Sequence, residues 1–252
     1  MKKFILLFSL ILMGSGAVIA STTDIKPKNI KWNFDGMLGT FDRTSIQRGF
    51  QVYKEVCSAC HSLDLVAFRN LTEIGYSDAQ AKEIAKEYSI TAGPDDMGEM
   101  YQRPGILSDY FPNPYANSEM ARASNNGAFP PDLSLIIRAR QNGANYAYSL
   151  LTGFGQTPPK HMNIPDSLHY NPYFPGQQIA MAAPLNEGLV TYTDGTKASV
   201  GQMSRDVVNF LQWASDPKME QRKGMGFKVL MFLLIFTGLF YVAKKHVWKD
   251  VK

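Results

Sequence analysis

The two cysteines of this chain stand three positions apart, and a histidine follows the second, in the run Cys57-Ser58-Ala59-Cys60-His61. The C-x-x-C-H spacing is typical of the covalent attachment of a c-type haem. At the end of a helix, two thiols at this spacing can reach the two vinyl groups of one porphyrin and form thioethers. His61 then lies where its imidazole can bind the iron as the first axial ligand. One such run predicts one covalent haem.

Two other kinds of site use a pair of cysteines at this spacing, namely a redox-active dithiol and a zinc site. A zinc site needs further ligands nearby, but the chain has no third cysteine, and its other histidines are His161, His169 and His246. A thioredoxin-type dithiol would need a βαβ pattern around it, which the sequence lacks. A disulfide between the two would close too small a loop to stabilise the fold much. We therefore favour the haem and keep a membrane-tethered thiol oxidoreductase as an alternative.

The second axial ligand of such a haem decides between electron transfer and catalysis, because an open position admits oxygen or peroxide. The candidates are two histidines and six methionines: His161, His169, Met97, Met100, Met120, Met162, Met181 and Met203. Most methionines of a globular protein only fill the core. Met181 differs because small residues surround it between Pro175 and Pro184, so a stiff loop of low bulk could present its thioether to a porphyrin. The pattern favours Met181 and leaves the other candidates open, as it does a haem enzyme with an open distal position.

The haem motif stands at the end of a predicted helix over residues 44–57. Ile46, Phe50 and Tyr53 recur at helical spacing and define one apolar face that leads to the first cysteine. Before this helix, residues 24–42 form an aromatic arm that we expect to pack on the core.

The rest of the body is predicted to alternate short helices with long loops. The predicted elements are a helix from a capping box at Ser77 to about residue 88, a short helix over 133–140 capped by Asp132, a helix from 144 ended by Gly153, a hairpin of 189–192 and 197–200 around Asp194-Gly195, and a helix over 200–214 ended by Pro217. Residues 92–131 and 154–177 are rich in proline and predict long ordered loops. Such loops suit a fold that packs around a cofactor.

Residues 1–20 have the pattern of a secretory signal that is cleaved from the mature protein. A basic start, Lys2-Lys3, is followed by an apolar run and a small-residue end at Ala20. An uncleaved anchor is the alternative, although the apolar run is short for a span. The signal would place the body of the chain outside the cytoplasmic membrane, where c-type haem is attached.

A second apolar run, residues 227–243, is close to the shortest length that crosses a bilayer as a helix. Its flanks are basic and its interior nearly free of charge, which makes a buried helix of a soluble protein the weaker alternative. Lys244, Lys245, His246 and Lys249 follow the run, so the positive-inside tendency places the C-terminus in the cytoplasm. We predict four segments: a signal peptide (1–20), a periplasmic haem domain (21–223), an inner-membrane anchor helix crossing once (224–246) and a cytoplasmic tail (247–252).

Charge is unevenly distributed along a chain of ordinary globular composition. The formal net charge is +4, and it falls to +2 when the two lysines of the signal are removed. Residues 62–120 contain ten acidic and four basic side chains, which could steer a basic protein partner or could simply form a solvated face. The basic residues gather beside the apolar run, where membrane lipid explains them, so no nucleic acid is expected as a partner.

Six further runs of residues are long and peculiar: WNFDG at 32–36, RGFQVYKEVC at 48–57, FPNPYAN at 111–117, NNGAFPPDLS at 125–134, RAR at 138–140 and NPYFPG at 171–176. Together with the single C-terminal span, they resemble the cytochrome c1 family, the haem subunits of the quinol–cytochrome c reductase (bc1) complex. The resemblance covers most of the mature chain. Some bacterial members have an additional disulfide, for which this chain has no spare cysteines.

The resemblance implies a mostly α fold: a cytochrome-c-like helical haem domain with long loops and a small β-hairpin, plus one C-terminal transmembrane helix. It implies that His61 and Met181 are the two axial ligands of the iron. It also implies that an arginine of the 138–140 run contacts a haem propionate, and Arg140 is the better match. With Cys57 and Cys60, these residues complete the expected cofactor site.

The resemblance further implies an electron carrier that makes and breaks no bonds of a substrate. The electron would come from the Rieske iron–sulfur protein and leave to a cytochrome c, with the haem domain held beside cytochrome b in a complex that is a dimer. Two alternatives remain at this point, a membrane-anchored haem subunit of a terminal oxidase and a haem enzyme with an open distal site.

Overall fold

The computed structural model describes residues 25–250, and the signal predicted for residues 1–20 lies outside them. In chain order the elements are α1 (Arg43–Glu55), α2 (Asp78–Lys86), β1 (Ser89–Ala92), β2 (Tyr101–Pro104), α3 (Ser118–Ser124), α4 (Gly143–Leu151), β3 (His169–Tyr170), β4 (Gln178–Ile179), α5 (Val200–Ser215) and α6 (Met219–Val247). Short 3₁₀ helices lie at Cys57–Ala59, Phe68–Ile74 and Pro175–Gln177. Each pair of strands forms an antiparallel two-stranded sheet. The predicted fold class is confirmed: the chain is mostly helical, with small sheets and an apolar C-terminal helix.

The centre of the body is the crossing of α1 and α5. The rings of Phe50 and Tyr53 on α1 each lie 5.6 Å from the ring of Phe210 on α5, and all three side chains are buried. At Gly49 the two backbones approach so closely that a Cβ atom there would lie 2.0 Å from the carbonyl oxygen of Asp206. Because side chains on both helices fill the core around this crossing, α1 has little freedom to move. The crossing therefore fixes the helix that carries the haem motif.

The starts of the three best-predicted helices are set by side chains that accept backbone N–H bonds. Asp42 caps α1, Ser199 caps α5, and Ser77 caps α2 within the predicted capping box, which Gln80 completes. The helix predicted for 44–57 ends earlier, at Glu55, because the chain tightens there into the 3₁₀ turn of the cysteines. Helix α4 also confirms a predicted element, and its last residue is Leu151.

The aromatic arm that precedes α1 packs on the core as predicted. Trp32, Phe34 and Phe41 are all buried, and the rings of Trp32 and Phe34 stack at 5.3 Å. The indole N–H of Trp32 donates to the side-chain oxygen of Asn145 on α4 at 2.8 Å. The arm thus connects the segment before α1 to helix α4.

The helix predicted for residues 133–140 is wrong, since this segment is a series of turns. Its first backbone groups are used elsewhere: the N–H of Leu133 donates to the carbonyl of Ser62 at 3.0 Å. The carboxylate of Asp132, expected to cap a helix, does accept from the N–H of Ser134 at 2.8 Å, but it also accepts from Ser62 and from the N–H of Asp64. These bonds to a distant segment hold the residues outside a regular helix.

The hairpin predicted for residues 189–200 is also wrong, although the turn at its centre exists. One backbone hydrogen bond, from Gly188 to Ala198, brackets the segment at 2.8 Å, and no strand forms. Val190 and Tyr192 are instead buried in the core. A small hairpin is formed instead by β1 and β2. Strand β1 ends at the first residue of the predicted loop 92–131, and β2 and α3 lie within that loop.

Helix α6 begins at Met219 and runs without a break through the predicted boundary at 223/224. Within residues 25–250 it is the one helix long and apolar enough to cross a membrane, with a mean hydropathy of 2.0 in its most apolar stretch. None of that stretch is buried against the body of the protein. The structure therefore fits a membrane-anchored protein, while the exact limits of the four predicted segments stay a prediction.

A buried ion pair ties α1 to α5 beside the close approach at Gly49. The carboxylate of Asp206 is fully buried, accepts from Ser45 Oγ at 2.6 Å and pairs with Arg48 Nε at 2.9 Å. We predict that Asp206→Ala lowers the free energy of unfolding by about 3–5 kcal/mol, because it leaves the arginine charge without its buried partner. Chemical denaturation of the full-length haem protein in detergent measures this change.

The matched control is Asp194→Ala. Asp194 also pairs with Arg48, at 2.8 Å, but its side chain is 35% exposed. We expect a loss of less than about 1 kcal/mol for this variant, as for other exposed pairs. Equal losses in the free energy of unfolding would show that the buried pair of Asp206 contributes no more to stability than the exposed pair of Asp194.

Candidate haem site

The haem motif forms one tight turn directly after α1. The backbone N–H groups of Cys60 and His61 both donate to the carbonyl of Cys57, at 3.1 and 2.9 Å. The two cysteines are half-buried free thiols with no disulfide between them. One turn of backbone therefore holds both thiols and the imidazole, as thioether attachment and axial ligation of a single porphyrin require.

Burial raises the pKa of the Cys57 thiol to about 12, and the neighbouring Cys60 adds to the shift. Reactive dithiols have the opposite property, because only the thiolate attacks and such sites lower the thiol pKa. The surroundings of Cys57 therefore do not suit the thiol oxidoreductase that the sequence left open.

The ring of His61 is held by a backbone carbonyl. Its Nδ1 atom lies 2.8 Å from the oxygen of Pro131, which can only accept, so Nδ1 carries the proton and donates. The lone pair is then on Nε2, the form in which an imidazole binds a metal. Burial also lowers the pKa of His61, which keeps the ring neutral. The site thus fits the iron of a haem on the chemistry of its donor.

The carbonyl of Pro131 is itself positioned by the pairing of residues 131–134 with residues 61–65. The carboxylate of Asp132 accepts from Ser62 Oγ at 3.0 Å and from the N–H of Asp64 at 2.8 Å. In the same way, Ser134 Oγ accepts from the N–H of Leu65 at 3.0 Å. These roles have no local signature in the sequence, because Pro131 acts through its backbone and Asp132 matches a helix cap.

Met181 lies in an irregular loop just after β4 and is half-buried. The pairing of Ile179 with His169 across β3 and β4 holds the start of this loop. No hydrogen bond of the described residues joins the loop to the turn of the cysteines. Met181 as the second ligand therefore stays a prediction.

Six of the seven other candidates for the second ligand differ from Met181 in their exposure. Met203 is fully buried in the core on α5, whereas Met97, Met100 and Met120 are each more than half exposed. His161 and His169 are exposed too. Among the eight candidates only Met162 shares the half-buried state of Met181.

The two arginines of the 138–140 run differ in their partners. Arg138 pairs with Asp216 at 2.6 Å, and Asp216 also binds Arg222. Arg140 is exposed, and its guanidinium donates to the carbonyl of Ala139 at 3.2 Å without an acidic partner in residues 25–250. Arg140 can therefore donate to a carboxylate of a ligand, whereas Arg138 is already paired with Asp216 and is less able to do so.

Comparisons with known proteins agree on one family. The chain matches the model of the Cytochrome C1 family over residues 32–251. It is 51% identical over 221 residues to the mitochondrial "Cytochrome c1, heme protein" of Schizosaccharomyces pombe, an alignment that covers 88% of this chain and 72% of that protein. It is 41% identical over 266 residues to "Cytochrome c1" of Rhodospirillum rubrum, covering 100% of this chain and 98% of that protein.

One relative is much longer than this chain. "Cytochrome b/c1" of Bradyrhizobium diazoefficiens is 48% identical over 246 residues, which are 89% of this chain and 36% of that protein. The chain therefore spans just over a third of that relative.

The guanidinium of Arg140 has no acidic partner in residues 25–250, and this leads to a prediction about the haem. We predict that Arg140→Gln lowers the reduction potential by roughly 60 mV, which is a tenfold change in a one-electron equilibrium. If Arg140 binds a propionate as expected, removal of its positive charge favours the oxidised haem, which has the higher charge. A redox titration of the visible spectrum measures the shift.

The control for this titration is Arg138→Gln, which removes the same charge from a site already paired with Asp216. We expect a much smaller shift in potential. A larger shift in potential for Arg138→Gln than for Arg140→Gln would show that Arg138, and not Arg140, contacts the propionate.

Proposed function

The chain belongs to the cytochrome c1 family, and from this premise we propose that it carries single electrons from the Rieske iron–sulfur protein to a cytochrome c. Its relatives support the coarser statement that it is a haem electron-transfer subunit of a bc1 reductase complex. The single observation that carries the proposal is the bond from His61 Nδ1 to Pro131, which leaves Nε2 ready for iron beside two free thiols. By itself the subunit would make and break no substrate bonds.

In this proposal, Cys57 and Cys60 hold haem c through thioethers, His61 and Met181 bind the iron, and Arg140 binds a propionate. Haem c supplies an iron that takes up and releases one electron. With His61 and Met181 as its two ligands, the iron would have no position open to a substrate, and its surroundings would change little when the charge changes. A methionine paired with a histidine also raises the reduction potential. The buried aromatic core packs against Cys57, at the start of the haem motif.

The acidic stretch of residues 62–120 supports a basic cytochrome c as the acceptor. Part of its charge is neutralised within the protein, for example by the pair of Asp109 with Arg103 at 2.6 Å. Asp95, Asp96 and Glu99, on the turn between β1 and β2, have no ion pair with any described residue. Such unpaired charge speeds the encounter with a partner of opposite sign and is screened by salt.

The membrane topology is also part of the proposal. Helix α6 would cross the inner membrane once, in contact with lipid, and the basic residues Lys244 and Lys245 in its last turn would lie on the cytoplasmic side. The haem domain would then face the periplasm, next to cytochrome b. The name of the longer Bradyrhizobium relative, "Cytochrome b/c1", supports cytochrome b as the partner. We extend the proposal to a parent complex that is a dimer.

The role of Met181 separates an electron carrier from a haem enzyme with an open distal site. We predict that the wild-type haem does not bind carbon monoxide, because both axial positions are filled. Met181→Leu should keep the covalent haem, lower its potential by more than about 60 mV, a tenfold change in the one-electron equilibrium, and bind carbon monoxide when reduced. Redox titration and visible spectra with the gas measure both effects.

Met203→Leu is the matched control, because Met203 is fully buried in the core. We expect this variant to keep its potential and to stay closed to carbon monoxide. If Met181→Leu behaves like Met203→Leu, Met181 only packs the loop, and the second ligand is another residue or is missing.

The electron path is tested in the purified complex by rapid mixing with quinol. We expect quinol to reduce the haem of this subunit, and removal of the Rieske protein to abolish that reduction. The reduced haem should then pass its electron to a basic cytochrome c at a rate that falls as salt is added, because screening weakens attraction between exposed charges. Unchanged reduction without the Rieske protein, or co-purification with a copper–haem oxidase instead, would refute the proposed path.

A further inference from the structure

The turn of residues 33–40 has an apolar tip that points away from the body of the protein. Met37 is 69% exposed and Leu38 is 87% exposed, the highest value among the large apolar side chains of residues 25–250. On either side of this tip the chain is fully packed, since Phe34 and Phe41 are buried. The protein therefore contains a sharp apolar projection between two buried anchors.

The shape of this turn is fixed by its backbone. The N–H of Thr40 donates to the carbonyl of Asn33 at 3.0 Å and closes the turn at its base. Gly36 has a φ of +72°, and a Cβ atom on Gly39 would lie 2.2 Å from the carbonyl oxygen of Asp35. These two glycines let the chain reverse so tightly that the side chains at the tip cannot fold back onto the core.

The turn is fastened to the first part of α6. Lys223 Nζ donates to the carbonyls of Phe34 and Gly39, at 2.6 and 3.2 Å. One turn earlier on the helix, Glu220 accepts from the N–H of Phe41 at 2.7 Å and pairs with Arg43 at 2.6 Å. Both ends of the turn are thus bound to the helix that anchors the protein.

The position of Lys223 on α6 gives the depth of the turn relative to the bilayer. The apolar run begins at Phe227, four residues later, which is about 6 Å further along the helix axis. The polar zone on each side of a bilayer is about 5–8 Å thick. Lys223, which binds the two carbonyls of the turn, therefore lies at the level of the lipid headgroups.

We propose that Met37 and Leu38 form a second membrane contact, in which the tip of the 33–40 turn enters the lipid interface beside the anchor helix. Lipid suits this surface better than a protein partner does. A stable protein interface buries about 800 Å² on each side, far more than two side chains provide, whereas a small apolar tip is enough for contact with lipid. The contact would fix the tilt of the haem domain over the membrane. This inference depends on α6 as the membrane span and not on the proposed electron path.

The test measures the depth of a spin label in the intact complex, reconstituted in vesicles of phosphatidylcholine and phosphatidylglycerol. Because both native cysteines of this subunit would be bound to haem, Leu38→Cys offers a new thiol for a nitroxide; signal from the unmutated complex is subtracted. We expect collisions with dissolved oxygen to rise several-fold and collisions with an aqueous nickel chelate to fall several-fold, relative to the control site. Met37→Cys serves as a second variant, and an unchanged haem spectrum confirms that each variant is folded.

The control site is Met97→Cys, on the turn between β1 and β2, where the side chain is 84% exposed. If the label at Leu38 meets the nickel chelate as often as the label at Met97, the tip lies in water and the proposal is wrong. If it is shielded from both reagents, and remains so in detergent without vesicles, a protein subunit covers the tip and the proposal is equally wrong.

Discussion

The bond from His61 Nδ1 to the carbonyl of Pro131 joins two parts of the chain that are 70 residues apart. A carbonyl can orient an imidazole only if its own position is fixed. The pairing of residues 131–134 with residues 61–65 provides that, because the carboxylate of Asp132 fastens both segments together. The long segments of irregular chain are therefore a structural part of the site, since they bring the acceptor to the histidine that the haem motif provides.

Helix α1, which precedes the haem motif, also fixes the position of the two thiols and the imidazole. The cysteine turn begins two residues after α1 ends, so any movement of α1 is passed on to both thiols and to the imidazole. Close approach at Gly49, the buried pair of Asp206 with Arg48 and the ring contacts of Phe210 all oppose such movement. In an electron carrier this rigidity has a direct use, because a site that does not rearrange when charge arrives presents a low barrier to the transfer.

The local parts of the site could be predicted from sequence, and the long-range parts could not. Cys57, Cys60 and His61 form a motif whose chemistry depends only on neighbouring residues, and the caps at Ser77 and Ser199 are equally local. The helix predicted for residues 133–140 was wrong because long-range contacts decide the conformation of this segment. An aspartate before an apolar segment matches a helix cap, and Asp132 does accept from the N–H of Ser134. Its other two partners, Ser62 and Asp64, come from a segment that no local pattern connects to it.

The choice of the second ligand also depends on long-range packing that local sequence does not reveal. Composition around Met181 indicated a suitable loop, yet it could not exclude Met203, whose place in the core follows from the packing of α5. The hairpin of β1 and β2 was missed because each strand has only four residues and none of them is buried, so the alternation in β1 is too short to stand out. Sequence patterns thus report burial well where one helix face meets the core, and poorly where a segment packs on little or nothing.

The contacts at the base of the haem domain give the anchor helix a role beyond attachment. A helix joined to a body by a flexible linker would leave that body free to tumble above the membrane. Here Glu220 and Lys223 of α6 bind residues of the body, and Arg222 of α6 pairs with Asp216, which also pairs with Arg138. The first two turns of α6 and the folded domain therefore form one unit. Electron transfer depends steeply on distance, and a membrane partner can be met reproducibly only by a domain whose orientation is set. The ion pairs and carbonyl contacts at the head of α6 supply that orientation in the protein itself, before any other subunit binds.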